Sequence, residues 1–510
     1  MRRLPFLHPW LFLLASVVSL YAPARDTLPP VQLLRPLIVM ALILLALSRA
    51  IRRITRDEFW TTMSLTMAVM AFFTSQRYAL FLLSLIGLVA ALWALTGLFV
   101  SRFRNRHLLS AALTLTAAAL VAIHLGELLP PFFATPVAAF KRFLADDGGV
   151  PEPIARPGRA RDVYFIVLDG YGRQDVLERY YGFDNSEFLA HLEQSGFIVP
   201  ERSHSNYSRT ATSIASALNM DYVQNLQPGL ADIPFWWLMS PWIDRSRTRQ
   251  ILESAGYESV ALGTDWDVTD NRTVPTYLSP YPIEPTDFER YLLRVTPLSL
   301  AVPFLGSAGD SYRVHRANLT YAFGELAQLA ARPGPQFVFA HILAPHPPFV
   351  FDKEGNAISP KYGFTLADAS GFPGTPEEYT LGYIEQLEYV NDQLSKTIAF
   401  LLANSPSQPV ILLQADHGPG LFTDFARLEL SCNQERFGAF AAYYLPGVDA
   451  ALIAPDMTPV NLFRVVFNEY FGSSLELLPD RQFSYKSTVY IYDTVDVTAS
   501  VDVACKIPSR

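Results

Sequence analysis

A helical membrane domain followed by an α/β domain with a mostly parallel central sheet is the architecture this sequence predicts. Three observations carry it. The 510-residue chain is 50% hydrophobic but only 17% charged, with a mean hydropathy of +0.18, whereas soluble chains run at about a quarter charged. The long apolar runs crowd into the first 130 residues. After them, short β-branched runs alternate with helical patterns, the text of strands buried on both faces. The length allows two or more domains of about 100–200 residues. A net charge of −8 gives no footprint for nucleic acid. Two cysteines, Cys432 and Cys505, exclude a disulfide scaffold and a cysteine-rich zinc module.

Residues 1–130 read as five transmembrane helices: Leu7–Ala22, Leu33–Leu47, Phe59–Thr74, Tyr78–Val100 and Leu108–Leu128. A bilayer core takes about 20 apolar residues, so the shorter runs draw on their flanks. A signal peptide would leave one run and a cleavage site, not five runs. Arg2, Arg3, Arg49, Arg52, Arg53, Arg56, Arg102, Arg104 and Arg106 fall on one side of these spans, and Arg25, Arg35 and Arg77 on the other. This bias predicts a cytoplasmic N-terminus. Five spans then put everything after Pro130 outside the cytoplasm, where a Cys432–Cys505 disulfide becomes possible.

Residues 131–162 read as a juxtamembrane linker, rich in Pro, Gly and charge. Residues 163–510 form the exported domain. Strands are expected at Val163–Leu168, Tyr257–Leu262, Phe337–Ile342, Pro409–Leu413 and Ala439–Leu445. Helices are expected at Ser186–Ser195, Tyr312–Ala331, Glu377–Ala403 and Val460–Tyr470. The acids of Glu385–Asp392 read as a solvated helix face. In sheets of this kind ligands bind beyond the carboxyl ends of the strands.

Three of those ends carry polar residues. Asp169-Gly170 follows VYFIVL; His341 closes FVFAHI and is followed by His346-Pro-Pro-Phe349; Asp416-His417-Gly418 follows PVILL-Gln-Ala. A carboxylate ending a buried strand is costly unless paired or bound to a metal. Asp169 alone could equally cap the next helix, and His341 could be an ordinary strand-end histidine. Asp416-His417 offers an oxygen and a nitrogen ligand at one point, with Gly418 permitting a sharp exit. Asp169, Asp416 and His417 together suit Zn²⁺ or Mn²⁺ better than Ca²⁺. A fourth element, Asn206–Leu218, crowds hydroxyls before a helical stretch. It reads as a helix capped by Thr210 with Ser213 in its first turn. The same placement also suits a nucleophile, since a helix N-terminus stabilises an alkoxide and a phosphate oxygen alike.

Asp169-Gly, Thr210-x-x-Ser213 and Asp416-His417-Gly, in this order and after five spans, resemble the alkaline phosphatase/sulfatase superfamily. The resemblance is nearest to its membrane-anchored phosphotransferases, lipoteichoic acid synthase and the lipid A phosphoethanolamine transferases. It implies an α/β sandwich of alkaline phosphatase/sulfatase-like type holding one divalent metal, Mn²⁺ or Zn²⁺. Asp169, Thr210, Asp416 and His417 would be its ligands, although the first ligand is usually Glu in those transferases. Thr210 would be the nucleophile. His346 would contact the phosphoryl group and serve as general acid, and His341 and Ser213 would contact substrate. The formylglycine motif of type I sulfatases is missing: Tyr207 stands where Ser205-x-x-x-Arg209 would need proline. So is the Asp-x-x-x-His of two-zinc phosphodiesterases.

The resemblance implies a multi-pass protein of a bacterial cytoplasmic membrane with its catalytic domain periplasmic or extracellular. The activity implied is transfer of a phosphoethanolamine or phosphoglycerol head group from a membrane phospholipid donor to an envelope glycan, lipid or polymer through a phosphothreonine. The competing expectations are an exported metal-dependent phosphodiesterase, phosphatase or sulfatase-like hydrolase, and a structural membrane protein with a degenerate hydrolase domain.

Overall fold

The computed structural model describes residues 7–74, 106–134, 158, 160–226, 229–281, 285–300, 311–358 and 361–505. The expected span Tyr78–Val100 and most of the expected linker lie outside them. The chain divides into two compact units: Met1–Val137 with Ile283–Asp310, and Ala138–Pro282 with Ser311–Arg510.

The first unit contains α1 (His8–Tyr21), α2 (Leu34–Thr55), α3 (Glu58–Thr74) and α4 (Arg106–Ala134). Their shared core is Phe12, Leu13, Val17, Val18, Leu44, Leu65, Val69 and Ala117. Among the described residues, Pro30–Thr55 and Arg106–Leu128 are long and apolar enough to cross a membrane, and only 17% and 11% of their apolar windows are buried. Ile38, Leu42, Ile43, Leu108, Leu115 and Ile123 point outward. A core helix of a water-soluble protein would bury such a surface, so these helices have the solvent preference of membrane segments. The inserted segment joins this unit through a helix over Asp287–Val295. Its Phe288 and Leu292 enter the core, its N-terminus is closed by a Thr286/Glu289 capping box, and Glu289 pairs with Arg35.

The second unit is built on a six-stranded sheet of order β3-β2-β4-β1-β5-β6. Its strands are β1 (Val163–Leu168), β2 (Glu258–Leu262), β3 (Thr276–Leu278), β4 (Gln336–Ile342), β5 (Val410–Ala415) and β6 (Ala441–Tyr444). All neighbours run parallel except β6, which is antiparallel to β5 at the edge. Every residue of β1, β4 and β5 is buried, which is why these strands read as continuous apolar runs. On one face Tyr164, Ile166 and Leu168 pack with α7 (Ser311–Leu329) and α8 (Pro376–Asn404), through Leu319, Phe323, Tyr383 and Leu387. On the other, the Phe165 ring meets Phe463 of α10 (Pro459–Phe471), centroids 5.2 Å apart. The expected strands and helices of this unit are all present, among them α5 (Ser186–Gln194) and α6 (Thr210–Asn219), together with a five-residue helix α9 (Asn433–Phe437). A small hairpin-like pair, Phe483–Tyr485 with Thr494–Asp496, and the edge strand β3 carry no strong pattern in the sequence.

Sheet order positions the chemistry. β4, β1 and β5 are adjacent and in register, Leu168 facing Ile342 on one side and Ala415 on the other. Asp169 and Asp416 therefore leave neighbouring parallel strands at the same level, at strand spacing of about 4.8 Å.

Candidate metal centre

Asp169, Asp416 and His417 bring one ligand atom each to within 4.8 Å of one another, and all three are buried. His417 Nε2 lies 3.2 Å from Asp416 Oδ2 and 3.7 Å from Asp169 Oδ1. The Thr210 hydroxyl reaches the same nitrogen at 3.1 Å. The backbone sets the Asp416 carboxylate. Asp416 Oδ1 accepts from the Gly170 N–H at 3.0 Å and from the His417 N–H at 2.9 Å. Gly170 adopts φ +71°, a left-handed turn that glycine enters without strain. Tyr383 pins that turn, donating its hydroxyl to Gly170 O at 2.9 Å and accepting from Gly172 N–H at 3.0 Å. Gly418 is needed for closeness: a Cβ there would meet the carbonyl oxygen of Glu435 at 2.0 Å.

The atoms left over fit a cation. Asp169 Oδ1 and Asp416 Oδ2 are buried acceptors with no hydrogen-bond partner, a costly arrangement unless something positive binds there. His417 Nδ1 faces Gly418 O at 2.9 Å, an acceptor, so the proton sits on Nδ1 and the Nε2 lone pair faces the carboxylates. Burial and then Arg436 lower the pKa of His417, favouring the neutral imidazole that a metal requires. Two carboxylate oxygens, one imidazole nitrogen and a hydroxyl form a mixed O/N donor set suited to a divalent cation.

Thr210 is the first residue of α6, not its cap. Arg209 holds the cap position in extended conformation, and no side chain caps the helix. The Thr210 hydroxyl is thereby free of the local bond that a capping threonine makes. Ser213, expected to contact substrate, is buried and donates to Tyr207 O at 2.9 Å. It does not line the cavity beside the cluster, because one helical turn carries it behind Thr210. His341 stands behind Asp169, its Nε2 3.4 Å from Asp169 Oδ2 and its Nδ1 2.8 Å from Thr269 Oγ1. It supports the carboxylate and is absent from the cavity wall. His346 does line the cavity, with Nε2 3.8 Å from Asp368 Oδ2. Burial opposes its charge, yet Asp169 and Asp368 raise its pKa above the ordinary histidine value.

The cavity is about 310 Å³ and also exposes Arg209, Trp236, Trp266, Asp368, Phe425 and Arg436. Arg436, from α9, donates to Ser208 O at 2.8 Å, to Asp368 Oδ2 at 2.8 Å and toward His417 Nε2 at 3.0 Å. Asp368 also accepts from the Tyr379 hydroxyl at 2.7 Å. Burial works against the Asp368 charge, but His346 and Arg436 hold its pKa below the usual carboxylate range. Sequence reasoning missed Arg209, Asp368 and Arg436. It also missed Gln386, which turns inward from the supposedly solvated face. Its Oε1 accepts from Val350 N–H at 2.7 Å and its Nε2 donates to His346 O at 3.0 Å, bracing the loop that presents His346. Cys432, at the cap of α9, is disulfide-bonded to Cys505 with Cα atoms 5.5 Å apart.

A family model described as sulfatase matches residues 161–454 of the 510. No curated protein matches. Among solved structures, the C-terminal periplasmic domain of EcEptC from Escherichia coli is similar at TM-score 0.43 and 12% identity, covering 68% of this chain and 96% of that one. Lipooligosaccharide phosphoethanolamine transferase A from Neisseria meningitidis is similar at TM-score 0.40 and 15% identity, covering 88% and 85%. Phosphonate monoester hydrolase of Agrobacterium radiobacter gives TM-score 0.39 and 13% identity, covering 64% and 80%.

Proposed function

This chain belongs to the sulfatase family, within the alkaline phosphatase/sulfatase superfamily, and from that premise we propose that it is a membrane-anchored, metal-dependent phosphotransferase. One observation carries the reading: a buried threonine hydroxyl, opening a helix, converges on a cluster of acceptors that lack donors. Asp169, Asp416, His417 and Thr210 would hold one divalent ion, Zn²⁺ or Mn²⁺. When bound, such an ion lowers the pKa of a ligating hydroxyl and neutralises phosphoryl charge.

The chain's own groups do the rest. Thr210 Oγ1, its proton lost to solvent, attacks the phosphorus of a phospholipid head group. The Oγ1–P bond forms as the P–O bond to diacylglycerol breaks. His346, whose pKa the carboxylates near it raise, donates a proton from Nε2 to the departing oxygen. An acceptor hydroxyl then gives its proton to the same nitrogen and attacks the phosphothreonine, and the Thr210 oxygen is released. Free N–H groups at the start of α6 face the developing negative charge.

A phospholipid donor is favoured by the outward apolar faces of α2 and α4. The Cys432–Cys505 disulfide and the arginine asymmetry favour a catalytic unit outside the cytoplasm, anchored by five spans in a bacterial membrane. The acceptor would then be an envelope glycan, lipid or polymer. Thr210→Ala is expected to stop diacylglycerol release from labelled phospholipid while the melting temperature stays within a few degrees of wild type. Full release by that variant refutes the mechanism. Release of free head group alone would identify the activity as hydrolysis.

A further inference from the structure

Resting on the reading that the cavity accepts a phosphate ester, we propose that Arg209 selects the group carried on that phosphate: a neutral or anionic hydroxyl-bearing group of the phosphoglycerol type, against a cationic amine. Arg209 lines the cavity next to Thr210. Its guanidinium carbon lies 4.2 Å from the ring centre of Tyr485, 4.3 Å from Trp236 and 4.6 Å from Phe425. Three aromatic faces compensate a cation for lost hydration and hold it in place. Its Nε is buried with no hydrogen-bond partner. A guanidinium keeps its charge throughout the physiological pH range.

Two further facts give the charge its selective meaning. An ammonium entering a protein cavity seeks aromatic faces or a carboxylate. Of the aromatic rings on the cavity wall, Trp236 and Phe425 already face the Arg209 cation, as Tyr485 does behind them, and Trp266 packs toward the His341 ring with centroids 6.3 Å apart. Among the described residues, the carboxylates lining the cavity are Asp169 and Asp368. The first belongs to the ligand cluster. The second is bound to Arg436 at 2.8 Å and to the Tyr379 hydroxyl at 2.7 Å. An incoming amine would find no spare anion and would meet a fixed like charge, an element of rejection built into the wall. A glycerol hydroxyl or a second anionic group meets an N–H donor and a positive field instead.

Calorimetric titration of the full-length, Zn²⁺-loaded protein in detergent tests this, with glycerol 3-phosphate and phosphoethanolamine as probes. Wild type is expected to bind glycerol 3-phosphate about tenfold more tightly. Arg209→Gln should bring the two within about twofold, and Arg209→Lys should keep the direction of preference. Equal or tighter binding of phosphoethanolamine by wild type, or binding of neither probe, overturns the proposal. So does an unchanged ratio in Arg209→Gln. If Arg209→Gln does not fold, as judged by its melting curve, the wild-type ratio and the Arg209→Lys variant decide. The same preparation is then given phosphatidylglycerol and phosphatidylethanolamine. A preserved binding preference with no diacylglycerol from either lipid leaves the selection by Arg209 standing and removes the phospholipid-donor reading.

Discussion

At the carboxyl ends of β1 and β5, Asp169 Oδ1 and Asp416 Oδ2 are buried without donors, while on α9 the buried guanidinium of Arg436 has its charge met by Asp368 at 2.8 Å. Both regions line or border one cavity, and both bury charge. The strand ends are complete only with something the chain does not supply; the α9 segment is completed by the chain itself. On the proposed function, the difference separates residues kept for chemistry from residues kept for architecture, because uncompensated burial costs stability and persists where a ligand offsets it.

The sharpest break comes at the strand ends. Asp416→Asn removes a carboxylate charge whose Oδ2 has no donor, so turnover should fall by about a thousandfold, while the chelated protein should melt no lower than chelated wild type, since a like charge beside Asp169 has gone. Activity assays and scanning fluorimetry with chelator read both. The α9 side should respond in the opposite way. Arg436→Met takes the guanidinium from buried Asp368 and leaves it only the Tyr379 hydroxyl and the His346 ring 3.8 Å away, for a cost of about 3 kcal/mol in denaturant titration. Adding Asp368→Asn should restore a large part of it, and failure to do so would remove the contrast between the two regions.

A smaller effect is expected from the disulfide, which ties the cap of α9 to Cys505 across a separation of 73 residues. Replacing both cysteines by serine should cost about 2–4 kcal/mol, measured as a lower denaturant midpoint. The smallest effect is a pH dependence. Glu435 is fully buried beside the Tyr181 hydroxyl at 2.6 Å and the Phe422 N–H at 2.8 Å, and burial pushes its pKa from 4.5 up to about 8. The folded state thus keeps a proton that the unfolded state has released, and stability declines as pH rises from about 4.5 through 8. Glu435→Gln should raise the melting temperature more at pH 8 than at pH 5; equal shifts at both would contradict this.

The same contrast explains what could be read from the sequence. Asp169, Asp416 and His417 were legible because each interrupts a run of apolar residues at a strand end, where an acid has no ordinary reason to be. Thr210 was legible through its crowd of hydroxyls, although the helix starts so that Arg209, not Thr210, takes the cap. Arg436 and Asp368 were not legible. Asn433-Gln-Glu-Arg reads as any polar turn, and Asp368 sits in irregular chain; their partnership spans 68 residues and has no periodicity. Arg209 gave no signal because its three rings come from distant segments. Gln386 was hidden among acids on a helix whose polar face is only partly solvated. The Asp287–Val295 helix falls within residues 163–510, which read as one exported domain, but it packs with the apolar helices, because Phe288 and Leu292 find their core there.

Thr210 and His417 stand 207 positions apart along the chain yet 3.1 Å apart in space. No fragment emerging from the ribosome or crossing the membrane contains the whole donor set. Until β5 has docked beside β1 there is nothing for an ion to recognise, so loading has to be a late event in maturation. On the proposed function, an ion seated there would be a clasp between the first strand of the unit and the fifth, and stripping it should loosen segments far from the cavity as well as those around it.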